Sequence, residues 1–209
     1  MSILTSVSRD IGAYERHVRR ARTADLGPVA WVLAAALHDD PTVSWLVPDA
    51  GRRRATLPSV MELFAEHVQP HGENHTNESG TGAALWLPPE AVASPAAEEW
   101  LASGLAALAG DDLPRWDRLR AIGAHRPAEP HYYLMLHGVI PDRQGAGIGT
   151  ALLHAVLDRA DREHMPAYLE ATSPRNRALY ERHGFAVTRE LRCDDCPPLW
   201  AMRRPPVVH

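Results

Sequence analysis

The segment Val139-Ile140-Pro141-Asp142-Arg143-Gln144-Gly145-Ala146-Gly147-Ile148-Gly149-Thr150 lies between a strand-like run and an amphipathic helix. It reads Q-x-x-G-x-G at the mouth of that helix. Three glycines in five residues remove the β-carbons that would hold a ligand away from the main chain. The helix behind them offers unpaired N–H groups and the positive end of its dipole to an anion. A strand, a glycine turn and a helix in this order predict an α/β chain that holds a phosphate-bearing cofactor. The main chain of Gln144, Gly145, Ala146, Gly147, Ile148, Gly149 and Thr150 is the expected cradle.

Glycine-rich turns serve several cofactors. The dinucleotide fingerprint G-x-G-x-x-G fits at Gly145 and Gly147, and Glu170 stands about where a ribose-binding acid would. Its third glycine falls on Thr150, however, the motif comes late in the chain, and no second βαβ half follows. A P-loop needs a lysine after its glycines, and all 22 basic residues of this chain are arginine.

The pattern V-x-P-x-x-Q-G-x-G-I-G resembles the acetyl-CoA-binding segment of the GNAT superfamily of N-acetyltransferases. A second segment, Tyr168-Leu169-Glu170-Ala171-Thr172-Ser173-Pro174-Arg175-Asn176-Arg177-Ala178-Leu179-Tyr180-Glu181-Arg182-His183-Gly184-Phe185, resembles the strand and the Asn- and Tyr-bearing helix that follow it there. Short blocks narrow the likeness to puromycin N-acetyltransferase-like actinobacterial enzymes: His125-Arg126-Pro127, Glu129-Pro130, Leu169-Glu170, Pro174-Arg175-Asn176 and Tyr180-Glu181-Arg182. The similarity is close over residues 124–187, weaker over 16–88 and slight elsewhere.

The resemblance implies a GNAT fold, a single mixed sheet of about six to seven strands flanked by helices, and acetyl-CoA as co-substrate with no metal. It implies that His137, Gly138 and Val139 pair with the pantetheine arm, that Asn176 lies near that arm, and that Tyr180 lies near the sulfur as general acid. A phenol of pKa about 10 keeps its proton at pH 7, whereas a thiol of about 8.5 leaves as the weaker base. Glu170 matches the glutamate of the puromycin enzyme and is the expected base. Glu129, His131 and His137 stay open as alternatives, as does a purely structural Glu170 paired to Arg175 or Arg177. Gly138 reads as a close approach or a bulge in an otherwise bulky strand.

Spacing and caps order the rest. Residues 17–22 read as a first strand, followed by a helix capped by Thr23 or Asp25; Asp40-Pro41 opens a short helix and residues 52–67 another. Residues 69–80 read as a loop or weak edge strand and 81–88 as a better strand. Helices at 95–109 and 113–122 fall within an insertion, 88–124, that the resemblance makes the acceptor wall. Trp100 and Trp116 either line that pocket or pack the helices; Glu98, Glu99, Asp111, Asp112 and Asp117 either attract a cationic amine or form a solvated face. Strands at 131–140, 167–172, 185–191 and 199–204 alternate with helices at 147–164 and after Ser173-Pro174. The expected organisation is a flexible arm at 1–15 and one domain at 16–205, with the cofactor core at 131–187.

A net charge of −4 argues against a nucleic-acid partner. No run of about 18 apolar residues predicts a membrane span, and residues 1–13 lack an apolar signal core, so a cytoplasmic location is expected. Cys193 and Cys196 form a lone C-x-x-C and read as incidental reduced thiols. The expected partner is a small-molecule amine, an antibiotic or aminoacyl-type metabolite. A protein or peptide amine, a non-catalytic acyl-CoA-binding regulatory role, and a homodimer all stay open.

Overall fold

The computed structural model describes residues 14–92, 94–123, 126–193 and 195–207. Most of the expected N-terminal arm, and His125, lie outside that range. Seven strands form one mixed sheet: β1 (Val18–Arg20), β2 (Asn74–Asn77), β3 (Gly82–Leu87), β4 (Tyr132–Val139), β5 (Ala167–Ala171), β6 (Ala186–Leu191) and β7 (Leu199–Arg204). Their order is β1-β2-β3-β4-β5-β7-β6, antiparallel at every junction except β4–β5. This is the α/β architecture expected, with seven strands.

The helices are α1 (Leu26–Leu37), α2 (Pro41–Leu46), α3 (Ala50–Val68), α4 (Pro95–Ala109), α5 (Leu113–Gly123), α6 (Ile148–Arg162) and α7 (Pro174–Glu181). Several of their starts are set by side chains that satisfy otherwise orphaned N–H groups. Asp40 accepts from the N–H groups of Thr42 and Val43, Asp49 from Arg52, and Ser173 from Asn176. Pro174 occupies the first turn of α7, and Gly184, at φ 85°, lies just past its end.

Burial splits along the pleat. Ala83, Leu85 and Leu87 of β3 face a core layer with α1 and α3, while Ala84 and Trp86 face a second layer built on α6. In α6, Ile148, Leu152, Leu153, Val156, Leu157 and Ala160 are buried on the helical stripe the sequence predicts.

β4 breaks this alternation. Leu136 pairs with Leu85 but Leu134 pairs with Trp86, so Met135 is an extra residue opposite one partner. The bulge inverts the parity of the rest of the strand. Met135 and Leu136 both pack on the α1 layer, Gly138 turns toward α1, and His137 and Val139 turn toward α6. Gly138 is therefore not the bulge. A β-carbon there would stand 2.6 Å from the Ala36 Cβ, so its glycine is required by the approach of α1.

Two other expectations need correction. Residues 74–77 are not a loop or an edge; β2 is an interior strand, second in the sheet. Its polar sequence misleads because every residue is buried yet partnered: Asn74 donates to the Ala65 carbonyl, Thr76 to that of Gly82, and Asn77 to that of Glu15. Cys193 and Cys196 are not free thiols. The β6–β7 turn sets their Cα atoms 5.3 Å apart, within reach of a disulfide, and they form one. Among the described residues no helix is long and apolar enough to cross a membrane.

Gly138→Ala is expected to destabilise the fold by about 1–3 kcal/mol, the usual cost of overpacking a close contact; an unchanged denaturation midpoint would contradict this account of the glycine. His75, buried in β2 beside Arg20 and Arg159, has its pKa lowered to about 4, chiefly by burial. Between its ordinary pKa of about 6.5 and 4, the unfolded chain binds a proton that the folded chain refuses. Its share of the stability therefore falls as pH drops through that window. The stability difference between the wild type and His75→Gln should change across pH 6.5 to 4 in unfolding titrations; a constant difference would refute it.

Candidate active site

β4 and β5 pair over only two residue pairs, Tyr132 with Ala167 and Tyr133 with Tyr168. Beyond them the strands part, and the opening between them is the floor of the site. The N–H of Ile140 bonds the Thr81 carbonyl at 3.0 Å, which fixes the antiparallel alternation along β3–β4. By that alternation the main-chain groups of Gly138 face β3, and those of His137 and Val139 face the opening.

The glycine loop caps the far end of β4. Gly145 and Gly147 have φ of 82° and 83°, a left-handed conformation that glycine adopts without strain. Gly147 is the N-cap of α6 and supplies no side chain to its first turn. Gln144 to Gly147 are exposed, Ile148 is buried in the core, Gly149 is half-buried and Thr150 is exposed. The Gln144 side chain braces the loop: it donates to the Val139 carbonyl at 3.0 Å and accepts from Arg175 at 2.7 Å. An exposed main chain at a helix start, held rigid from beneath, is suited to an anion.

A cavity of about 960 Å³ opens on the other side of this floor. Apolar side chains of α2, α3, α4 and α5 enclose it, Trp116 among them, and its deep end reaches His137, Glu170, Asn176 and Tyr180. Trp116 is buried in the wall, whereas Trp100 is half exposed and stacks on the outside of His67, which does line the cavity. Of the insertion's acids, Glu98, Glu99 and Asp117 reach the cavity. Asp112 is instead paired to Arg52 and Arg115.

Both expected catalytic residues line this cavity. Tyr180 is buried on α7, and desolvation, followed by the nearby Asp40 carboxylate, pushes its phenol well above the usual range. Its hydroxyl lies 3.4 Å from Nδ1 of His137. Glu170 is buried at the end of β5. Burial holds its carboxyl above the usual carboxylate range despite the opposing pull of Arg126. One oxygen accepts from the Tyr133 hydroxyl at 2.9 Å. The other has no hydrogen bond, and the Arg126 Nε stands 3.8 Å from it. Arg175 and Arg177 are engaged elsewhere, with Gln144 and Glu181, so the salt bridges considered for Glu170 do not form. Glu129 is tied to Arg203, His131 bonds the Glu129 carbonyl, and neither lines the cavity.

Three residues of the site have no site role in the sequence reading. Arg126 lies 4.3 Å over the Tyr133 ring and faces Glu170. Tyr133 orients that carboxylate. Asp40, noted only as a helix cap, accepts a 2.5 Å hydrogen bond from Thr172, which in turn accepts from Asn176. It thereby latches the start of α2 to the start of α7 across 132 residues of sequence. Among the described residues no group of three or more His, Cys, Asp or Glu side chains is arranged to hold a metal.

The Acetyltransferase (GNAT) family model matches residues 98–185, which take in α5, the glycine loop and α7. A crystal structure of a histone acetyltransferase HPA2 and related acetyltransferase from Corynebacterium glutamicum shares 30% identity. It covers 92% of this chain and 97% of its own, with a TM-score of 0.68. An uncharacterized N-acetyltransferase of Schizosaccharomyces pombe is 26% identical over 209 residues, 90% of this chain and 83% of the yeast protein. A mosquito arylalkylamine N-acetyltransferase-like protein shares the fold at 16% identity, covering 90% of this chain and 98% of its own, with a TM-score of 0.53. A family match over the loop and α7, together with a relative of this identity and coverage, places the chain in the GNAT family of acetyl-CoA-dependent N-acetyltransferases.

Proposed function

We propose that the protein moves the acetyl group of acetyl-CoA to the primary amine of a small molecule, by direct attack in a ternary complex. The observation that carries this reading is the cavity: about 960 Å³, walled by apolar side chains, and lined as well by Glu98 and Asp117, paired to Arg126 and Arg120, by Glu99, and by Tyr180 and Glu170. Apolar walls suit the body of a compact ligand, and the Glu99 carboxylate among them offers a protonated amine a partner. In this reading residues 88–124 form the acceptor wall and 131–187 the cofactor core of a domain spanning 16–205. The similarity to puromycin N-acetyltransferase-like enzymes favours an aminoacyl or antibiotic amine.

The glycine loop, Gln144 to Thr150, is suited to the pyrophosphate. The main chain of His137 and Val139 faces the gap where the pantetheine would lie, and Gly138 keeps that strand against α1. The amine nitrogen attacks the thioester carbonyl carbon, the C–S bond breaks, and its electron pair goes to sulfur. Tyr180 gives its hydroxyl proton to that sulfur, and the surplus proton on the new amide nitrogen goes to Glu170, directly or through water. The phenolate is reprotonated from solvent before the next cycle. Burial disfavours the phenolate, so Tyr180 is protonated when the thiolate forms and is a weaker acid for it, and the phenolate left behind readily regains a proton. The raised Glu170 carboxyl is a better match to an amine than an exposed carboxylate would be. An amine of pKa about 10.4 still costs roughly 4–5 kcal/mol to deprotonate at pH 7, whereas an aminoacyl amine near 7.7–8.0 costs only about 1 kcal/mol.

Tyr180→Phe is expected to lower kcat at least roughly tenfold while leaving acetyl-CoA affinity nearly intact; unchanged turnover would remove Tyr180 from the mechanism. Release of free CoA thiol should be strong with apolar-bodied or aminoacyl amines and weak with peptide N-termini and lysine peptides. The reverse ranking would make the acceptor a protein. Acetyl-CoA binding without transfer to any amine would make the protein a non-catalytic binder.

A further inference from the structure

The His137 ring sits between the two halves of the active site, and its two nitrogens face different partners. Nε2 lies 3.2 Å from the main-chain carbonyl of Gly149, in the first turn of α6. Nδ1 lies 3.4 Å from the hydroxyl of Tyr180 on α7. A carbonyl can only accept, so Nε2 carries the hydrogen. Burial keeps the ring neutral at pH 7, with its pKa lowered to about 4. A neutral imidazole has one N–H, so Nδ1 is a lone pair and Tyr180 donates to it.

The sequence around the ring is shaped to admit it. The bulge at Met135 turns His137 toward α6 and α7 rather than toward α1. A β-carbon on Gly149 would stand 3.2 Å from the ring Cε1 and 3.3 Å from Nε2. The last glycine of the loop thus makes room for the histidine.

We propose that His137 is a positioning residue: tautomer-locked by the Gly149 carbonyl, it fixes the Tyr180 hydroxyl oxygen beside the sulfur and ties its alignment to the cofactor loop. The proposal rests on the acetyltransferase reading and on Tyr180 as general acid. The O–H···Nδ1 bond is long and weak, so it aligns the hydroxyl before transfer and is given up as the hydrogen turns about the C–O bond toward the charged thiolate. No proton passes to His137.

The test is a double-mutant cycle read by thiol release. His137→Gln can still donate toward the Gly149 carbonyl but offers no lone pair at the Nδ1 position. It is expected to lower kcat roughly tenfold in the wild-type background, with little change in acceptor KM, and to have no further effect on kcat in a Tyr180→Phe background. Equal losses in both backgrounds would mean that His137 supports the fold and not Tyr180, and would overturn the proposal. Unchanged kcat in His137→Gln, with Tyr180→Phe still impaired, would overturn it while sparing the general acid. Unchanged kcat in Tyr180→Phe would instead overturn the reading on which it stands. Independently of mutation, long-range ¹H–¹⁵N spectra of the wild-type protein should show His137 protonated at Nε2 and bare at Nδ1. The opposite tautomer would refute the lock.

Discussion

The site depends on one break in sheet pairing. Parallel neighbours β4 and β5 share two residue pairs and then separate, leaving main chain that would otherwise be paired exposed to a ligand. The separation is held on both sides. α1 is drawn onto β4 through Gly138, α6 is drawn onto β3 and β4 through Gly82 and Gly149, and Asp40 latches α2 to the top of β5 through Thr172. A β-carbon on Gly82 would meet Ile148 at 2.7 Å, so the helix that follows the glycine loop is seated by a glycine on another strand. The opening is therefore a packed feature of the core.

The bulge in β4 decides what the opening contains. Without the extra residue at Met135, His137 would face α1 and the chain would present a different side chain to Tyr180. The functional end of the strand is thus set by one residue of register, the kind of local irregularity that recurs beside active sites. Several polar groups nearby are held at a cost to stability. One oxygen of Glu170 and the Nε of Arg126 are buried without hydrogen bonds. Asp40, like Glu170, is held above the usual carboxylate range by burial. Such groups fit a site whose partners arrive with the ligand.

The parts of this arrangement legible in the sequence are the locally encoded ones. Glycine spacing in Gln144–Thr150, the apolar stripe of α6, and the Ser173, Pro174 and Gly184 punctuation of α7 each act within a few residues, and all stand where the pattern places them. The parts that were not legible depend on distant partners. β2 is polar in sequence and interior in the sheet because Ala65, Gly82 and Glu15 supply its hydrogen bonds. Gly138 reads as a ligand approach or bulge until Ala36 is seen against it. Asp40 reads as a cap, and only Thr172 reveals its second task. The C-x-x-C reads as free thiols until the β6–β7 turn brings them together.

In the proposed complex acetyl-CoA runs from the glycine loop, along the gap between β4 and β5, to Tyr180 and the apolar cavity. The structure of the protein crystallised with acetyl-CoA tests it most directly. The account predicts the pyrophosphate on the main chain of Gln144–Thr150, the pantetheine along His137 and Val139, and the thioester sulfur within hydrogen-bonding reach of the Tyr180 hydroxyl, its acetyl group pointing into the cavity. A cofactor bound elsewhere, or one whose sulfur lies away from Tyr180, would contradict it.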